Sequence, residues 1–159
     1  MPSAPARGAA LALLLALLAS GCGLPRDADG ALERASGGTL VVGIAENPPS
    51  TEIHDDGSVS GEEVDLVQEY ARSIDAQVEW VPGGEGELAR QMRAGDLDLL
   101  IGGLAADSSL EGDIALTRPY AVAPGPDGEE IEHVLGVRSG ENALLVSVET
   151  HLASRSGEL

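Results

Sequence analysis

Residues 97–120 read Leu97-Asp98-Leu99-Leu100-Ile101-Gly102-Gly103-Leu104-Ala105-Ala106-Asp107-Ser108-Ser109-Leu110-Glu111-Gly112-Asp113-Ile114-Ala115-Leu116-Thr117-Arg118-Pro119-Tyr120. The apolar run 97–101 is short and dense, which fits a strand buried on both faces better than a helix, so it is expected at the centre of a sheet. Gly102 and Gly103 close that strand. Two adjacent glycines let the backbone turn sharply and carry bare N–H groups toward the carboxyl end of the sheet, where open α/β sheets hold their ligands. The candidate site is therefore expected here.

The segments before it alternate in type. Residues 39–44 form a β-branched apolar run, a first strand, which Asn47-Pro48-Pro49-Ser50 breaks because prolines cannot donate to a ladder. Asp55-Asp56-Gly57 is a hairpin turn between short strand-like pieces at 51–54 and 58–60. Val64, Val67, Tyr70, Ala71 and Ile74 recur at helical spacing and predict a helix over 61–74 with Glu63, Gln68, Glu69 and Arg72 on its outer face. A second strand is expected at 77–81 and a short helix at 87–93, closed by Gly95. Strand, helix, strand, helix, strand implies parallel pairing with right-handed crossovers. Downstream, 114–116 reads as a strand, 121–132 as an exposed connection rich in Pro, Gly and acids, and 133–137 as a last strand. Ser139-Gly140-Glu141-Asn142 then opens a final helix with Leu144, Leu145, Val148 and Leu152 facing inward.

The amino-terminal part reads as a targeting segment. Arg7 is the positive n-region, residues 9–19 an apolar h-region too short to span a bilayer, and Ser20-Gly21 the small residues of a cleavage site. Leu18-Ala19-Ser20-Gly21-Cys22 resembles a bacterial lipobox, which implies that Cys22, the lone cysteine, is lipidated and that the chain is exported and held on the cell envelope. Residues 22–38 show no apolar period and read as a flexible tether, with order expected from Thr39. Removal of residues 1–21 leaves about 138 residues, one domain's worth. Nine Lys plus Arg against 27 Asp plus Glu give a net charge of −18, which repels nucleic acid and anionic lipid headgroups and argues against them as partners.

The order of motifs resembles the first lobe of solute-binding proteins of family three, the receptors of polar amino acid ABC importers. The matching pieces are Leu40-Val41-Val42-Gly43-Ile44, Asn47-Pro48-Pro49, Gly57, Gly61-Glu62-Glu63-Val64-Asp65-Leu66, Gly95-Asp96-Leu97-Asp98 leading to Gly102-Gly103, and Leu116-Thr117-Arg118-Pro119-Tyr120. The tail, His133-Val134-Leu135-Gly136-Val137 with Gly140-Glu141-Asn142, resembles the segment by which such chains return to the first lobe. The resemblance implies an α/β fold: a single type II periplasmic-binding-protein lobe over 39–155, with a mostly parallel sheet of about five strands and helices on both faces. It also places the returning strand antiparallel, between the 97–101 and 114–116 strands. In the family a whole second lobe follows the Pro-Tyr; here only 121–132 stands in its place, too short to form one.

The same resemblance assigns ligand contacts. The family offers an aromatic after the double proline, a threonine two residues past the second glycine and an arginine five further on; these places hold Ser50, Ala105 and Leu110. A leucine supplies none of the planar donor fork that grips a carboxylate. Glu46, Gly103, Leu104, Ala105, Asp107 and Leu110 are the ligand-binding candidates at the expected mouth, joined by the hydroxyls of Ser108 and Ser109. A polar amino acid or related small solute is the implied ligand and an ABC permease the implied partner, with binding weak or lost. The alternative is an accessory domain that binds a protein with the face left open by the second lobe.

Catalytic and metal readings are set aside. His54, His133 and His151 lack a ligand-like spacing. Gly57-Ser58-Val59-Ser60-Gly61 centres on Val59, so it is no nucleophile elbow. Asp96 and Asp98 suit strand-entry turns better than paired-carboxylate chemistry, and Gly83-Gly84-Glu85-Gly86 is a poor phosphate cradle. No cofactor is expected.

Overall fold

The computed structural model describes residues 27–110, 114–125 and 128–157. The targeting segment and Cys22 lie outside the described residues. Its elements are α1 (Ala31–Ala35), β1 (Thr39–Ile44), β2 (Glu52–Ile53), β3 (Val59–Ser60), α2 (Glu62–Ser73), β4 (Gln77–Pro82), α3 (Glu85–Ala94) and β5 (Leu99–Ile101). They continue with β6 (Ala115–Leu116), β7 (Ala121–Pro124), β8 (Glu130–His133), β9 (Gly136–Val137) and α4 (Asn142–Ser156).

A five-stranded sheet in the order β4-β1-β5-β9-β6 forms the centre. β1 pairs in parallel with β4 on one side and β5 on the other. β9 runs antiparallel between β5 and β6, through Leu99↔Val137 and Ala115↔Val137, as the resemblance implied. Alternation along the strands divides the core into two layers. Leu40, Val42, Ile44, Leu99 and Ile101 face α1, α2 and α4. Leu100 and Leu97 face α3 through Leu88 and Met92 on the other side. Gly43 makes room in that second layer, since a Cβ there would lie 2.8 Å from Leu97 Cδ1.

Three expectations are corrected. Order begins before Thr39: α1 carries Ala31 and Ala35 at 0% exposure, and its small side chains, flanked by charge, hid an apolar face of only one turn. Residues 121–132 are not an unstructured connection, because β7 and β8 pair as an antiparallel hairpin through Ala121↔His133, Val122↔Glu132, Ala123↔Ile131 and Pro124↔Glu130. The predicted strand over 133–137 is correspondingly split. His133 ends β8, Val134 and Leu135 turn into the core, and only Gly136 and Val137 enter the main sheet. No helix among the described residues is long and apolar enough to cross a membrane.

Candidate functional site

The carboxyl ends of β1 and β5 are joined by a bond from Ala45 N to Ile101 O at 2.9 Å. Beyond it Gly102 and Gly103 take φ of 144° and 71°, conformations that favour glycine, so the chain reverses directly above the sheet. Their N–H groups are not bare. Glu63, on the first turn of α2, points inward with 1% of its surface exposed and accepts from Gly102 N at 2.8 Å and Gly103 N at 3.1 Å. The hydroxyl of Tyr120 donates to the same carboxylate. The partial positive charge of a helix amino terminus also favours an acid at this place. Burial, and then the Glu63 charge, push the Tyr120 phenol well above its ordinary range, so it stays a donor.

The outer-face position that the sequence pattern predicts for Glu63 is thereby corrected. The period does contain the correct signal: positions 63, 67 and 70 share a stripe, and Val67 and Tyr70 on that stripe are buried. An acid on an apolar stripe, ahead of a Gly-Gly turn that needs acceptors, is the pattern to read.

The other predicted residues separate into three places. Glu46 is exposed beside Asn47, whose side-chain amide lies against Gly103. Leu104 is 3% exposed and belongs to the core layer under α3. Leu110 is half-buried and packs on that layer too, turning its side chain toward apolar neighbours. Ala105 bridges to His133, while Ala106 N donates to Glu132 O at 2.9 Å and Val134 N to Leu104 O at 3.0 Å. The hairpin therefore lies along the segment expected to meet a ligand. Asp107 is exposed and lines a depression of about 280 Å³ with Ala106 and residues 129–132 of the hairpin. Ser108 Oγ accepts from Leu110 N at 3.3 Å.

A larger groove, about 500 Å³, runs between α2 and the last turns of α4, with Leu66, Leu152 and Tyr120 beside Glu62, Asp65 and Glu69. Arg155 pairs with Glu69 at 3.2 Å along it. Among the described residues no group of three or more His, Cys, Asp or Glu could hold a metal ion.

A mostly parallel sheet with an antiparallel returning strand, helices on both faces and a glycine turn over the strand ends defines a single lobe of the periplasmic-binding-protein type. Similar architectures include the arginine-bound form of domain 1 of TmArgBP, with 26% identity, 77% of this chain and 97% of that one covered, and a TM-score of 0.67. A single-substitution variant of that domain, also arginine-bound, gives 25% identity, coverage of 80% and 98%, and a TM-score of 0.70. The chain belongs to the bacterial extracellular solute-binding proteins, family 3, which it matches over residues 40–153. A probable histidine-binding protein of Campylobacter jejuni is 26% identical over 82 residues, 52% of this chain and 32% of that protein, so the match spans about a third of the relative's length.

Proposed function

We propose that the chain is a lipid-anchored, extracytoplasmic lobe of the amino-acid-receptor type in which amino acid binding is weak or lost. The observation that carries this reading is the occupation of its own mouth. Glu63 takes the Gly102 and Gly103 N–H groups, and β8 lies along residues 104–106. Leu110, at the place the family resemblance gives to a carboxylate-gripping arginine, is packed against the core. Leu110 itself offers an arriving carboxylate no charged donor, and each missing charge-assisted bond is worth about 1.5–3 kcal/mol, roughly tenfold or more in affinity.

The lone lobe is not itself the obstacle, since domain 1 of TmArgBP is described in an arginine-bound form. The reading therefore rests on the clamp position and the occupied turn. It assigns the protein a binding role without catalysis, facing outside the cytoplasm and associated by descent with amino acid import. Isothermal titration of the mature domain with L-arginine, L-histidine and the other common L-amino acids is expected to give no dissociation constant tighter than about a millimolar. A low-micromolar constant for any of them refutes the reading. Leu110→Arg alone is expected to stay near the same value, because Glu63 still holds the glycine turn. For the anchor, radiolabelled palmitate should enter the wild-type protein and not Cys22→Ser; equal labelling, or none in either, removes the anchor from the reading.

A further inference from the structure

Residues 27–35, within the stretch expected to be a free leash, are folded onto the sheet. α1 has five residues, far fewer than the roughly 12–15 an isolated helix needs in water, so its order comes from tertiary contacts. One carboxylate caps it and the last helix together, and a second caps it alone. Asp27 accepts from Leu32 N at 2.7 Å and from Leu144 N at 2.9 Å. Glu141, 1% exposed, accepts from Asp29 N and Ala31 N, both at 2.9 Å, and lies 3.4 Å from Arg138 Nη2. A third carboxylate fixes the far end. Asp98, also 1% exposed, receives Arg34 Nη2 at 2.5 Å and Val41 N at 3.0 Å. That hydrogen bond, against a smaller desolvation cost, holds the Arg34 guanidinium further into its charged form.

These contacts share one end of the molecule. Asp98 lies before the first residue of β5, and Arg138 follows the last residue of the antiparallel β9, so both sit at the sheet end opposite Gly102 and Gly103. We infer that residues 27–35 are a clasp that moors the membrane-proximal end of the chain to this end of the sheet, holding the lobe near the membrane with its Gly102 and Gly103 end outward. The inference uses the Cys22 anchor of the proposed function. From Cys22 to Thr39 an unfolded leash would reach about 60 Å, whereas from Cys22 to Asp27 the chain spans at most about 18 Å. The clasp thus decides which surface soluble partners and solutes meet.

Two measurements test it separately. In the full chain carrying Cys22→Ser, hydrogen exchange of the Ala31–Ala35 amides should be as slow as that of the first turn of α4. Glu141→Ala, and independently Arg34→Ala, should speed it at least tenfold while β1 and β5 stay protected. Random-coil exchange of these amides in the wild type, or no acceleration in a variant that keeps its β1 protection, overturns the clasp; if Glu141→Ala does not fold, Arg34→Ala decides. In the lipidated protein on phosphatidylethanolamine and phosphatidylglycerol vesicles, a donor dye at Ser36→Cys should transfer energy to an acceptor lipid more efficiently than one at Ser108→Cys. Opening the clasp with Arg34→Ala should remove that difference. Equal transfer from both positions in the wild type overturns the orientation, and failure to bind vesicles at all refutes the anchor while the exchange result still judges the clasp.

Discussion

Glu63→Ala is the perturbation that most directly tests how the mouth is held. The wild-type carboxylate accepts from Gly102 N at 2.8 Å, Gly103 N at 3.1 Å and the Tyr120 hydroxyl. Hydrogen bonds to a charged group contribute about 1.5–3 kcal/mol each. Gly102 and Gly103 are half-exposed, so water can replace part of what the amides lose. Taking the low end for the two amides and about 1 kcal/mol for the phenol gives a loss of about 4 kcal/mol. For a domain of this size that lowers Tm by roughly 10–15 °C. Glu63→Gln keeps a carbonyl acceptor but loses the charge and one oxygen, and is expected to cost about half as much. Urea denaturation followed by the fluorescence of Trp80, the only tryptophan, reads the change. Tyr120→Phe completes a double-mutant cycle, with a coupling to Glu63 of about 1 kcal/mol expected. A loss below about 1 kcal/mol for Glu63→Ala, or additive single and double variants, refutes the claim that this carboxylate organises the turn.

Alkaline stability follows from the tyrosines. Burial raises the folded-state pKa of both Tyr70 and Tyr120, so their contribution is full below the unfolded value of about 10 and is lost as pH rises beyond it. Phenolate absorbance should stay low in the folded protein at about pH 10.5 and appear on unfolding, and Tyr120→Phe should flatten the fall of the urea midpoint above pH 10. At the glycine turn, Gly102→Ala should cost about 3 kcal/mol, because its Cβ would lie 2.6 Å from Ala45 Cβ and 2.9 Å from Ala45 O at a φ of 144°. Gly103→Ala should cost less, about 1–2 kcal/mol, because the group it displaces is the movable end of Asn47; the reverse order in chemical denaturation would count against the packing described.

What could be read in the sequence was whatever is fixed by local period. β1, α2, β4 and α3 emerge from their own side-chain patterns, with boundaries differing by two residues at most, α3 starting at Glu85 rather than 87. The antiparallel placement of β9 between β5 and β6 is long-range information, carried by the resemblance alone. α1 escaped because its support comes from far along the chain: Glu141 is 110 positions from Ala31, and Asp98 is 64 from Arg34. The hairpin escaped for another reason. Its prolines, glycines and acids give a loop composition, and the alternation Glu130-Ile131-Glu132-His133 spans only four residues. Of the candidate site, the glycine turn was legible and its occupant was not, because Glu63 looks like any solvated acid until its place on the Val67 and Tyr70 stripe is weighed.

The acidity of the chain also acquires a structural meaning. The amino termini of α1, α2, α3 and α4 receive no hydrogen bond from the side chain of their own capping residue, and three of those capping residues are glycines. A helix start left in this state has N–H groups in want of acceptors. At two of them acids from elsewhere supply these: Asp27 serves α1 and α4, and Glu141 serves α1, while at α2 the Ser50 carbonyl accepts from Glu63 N. Glu63 leaves its own helix to serve the glycine turn, and Asp98 serves β1. Glu63, Asp98 and Glu141, each 1% exposed, thus work where separate elements meet rather than on the surface. Replacing each by its amide removes charge without changing shape, whereas neutralising exposed acids such as Asp107 should leave stability within about 0.5 kcal/mol. The joints of this lobe, its mouth and its clasp alike, are therefore made of the same chemistry: a buried carboxylate facing backbone N–H groups that no neighbouring residue satisfies.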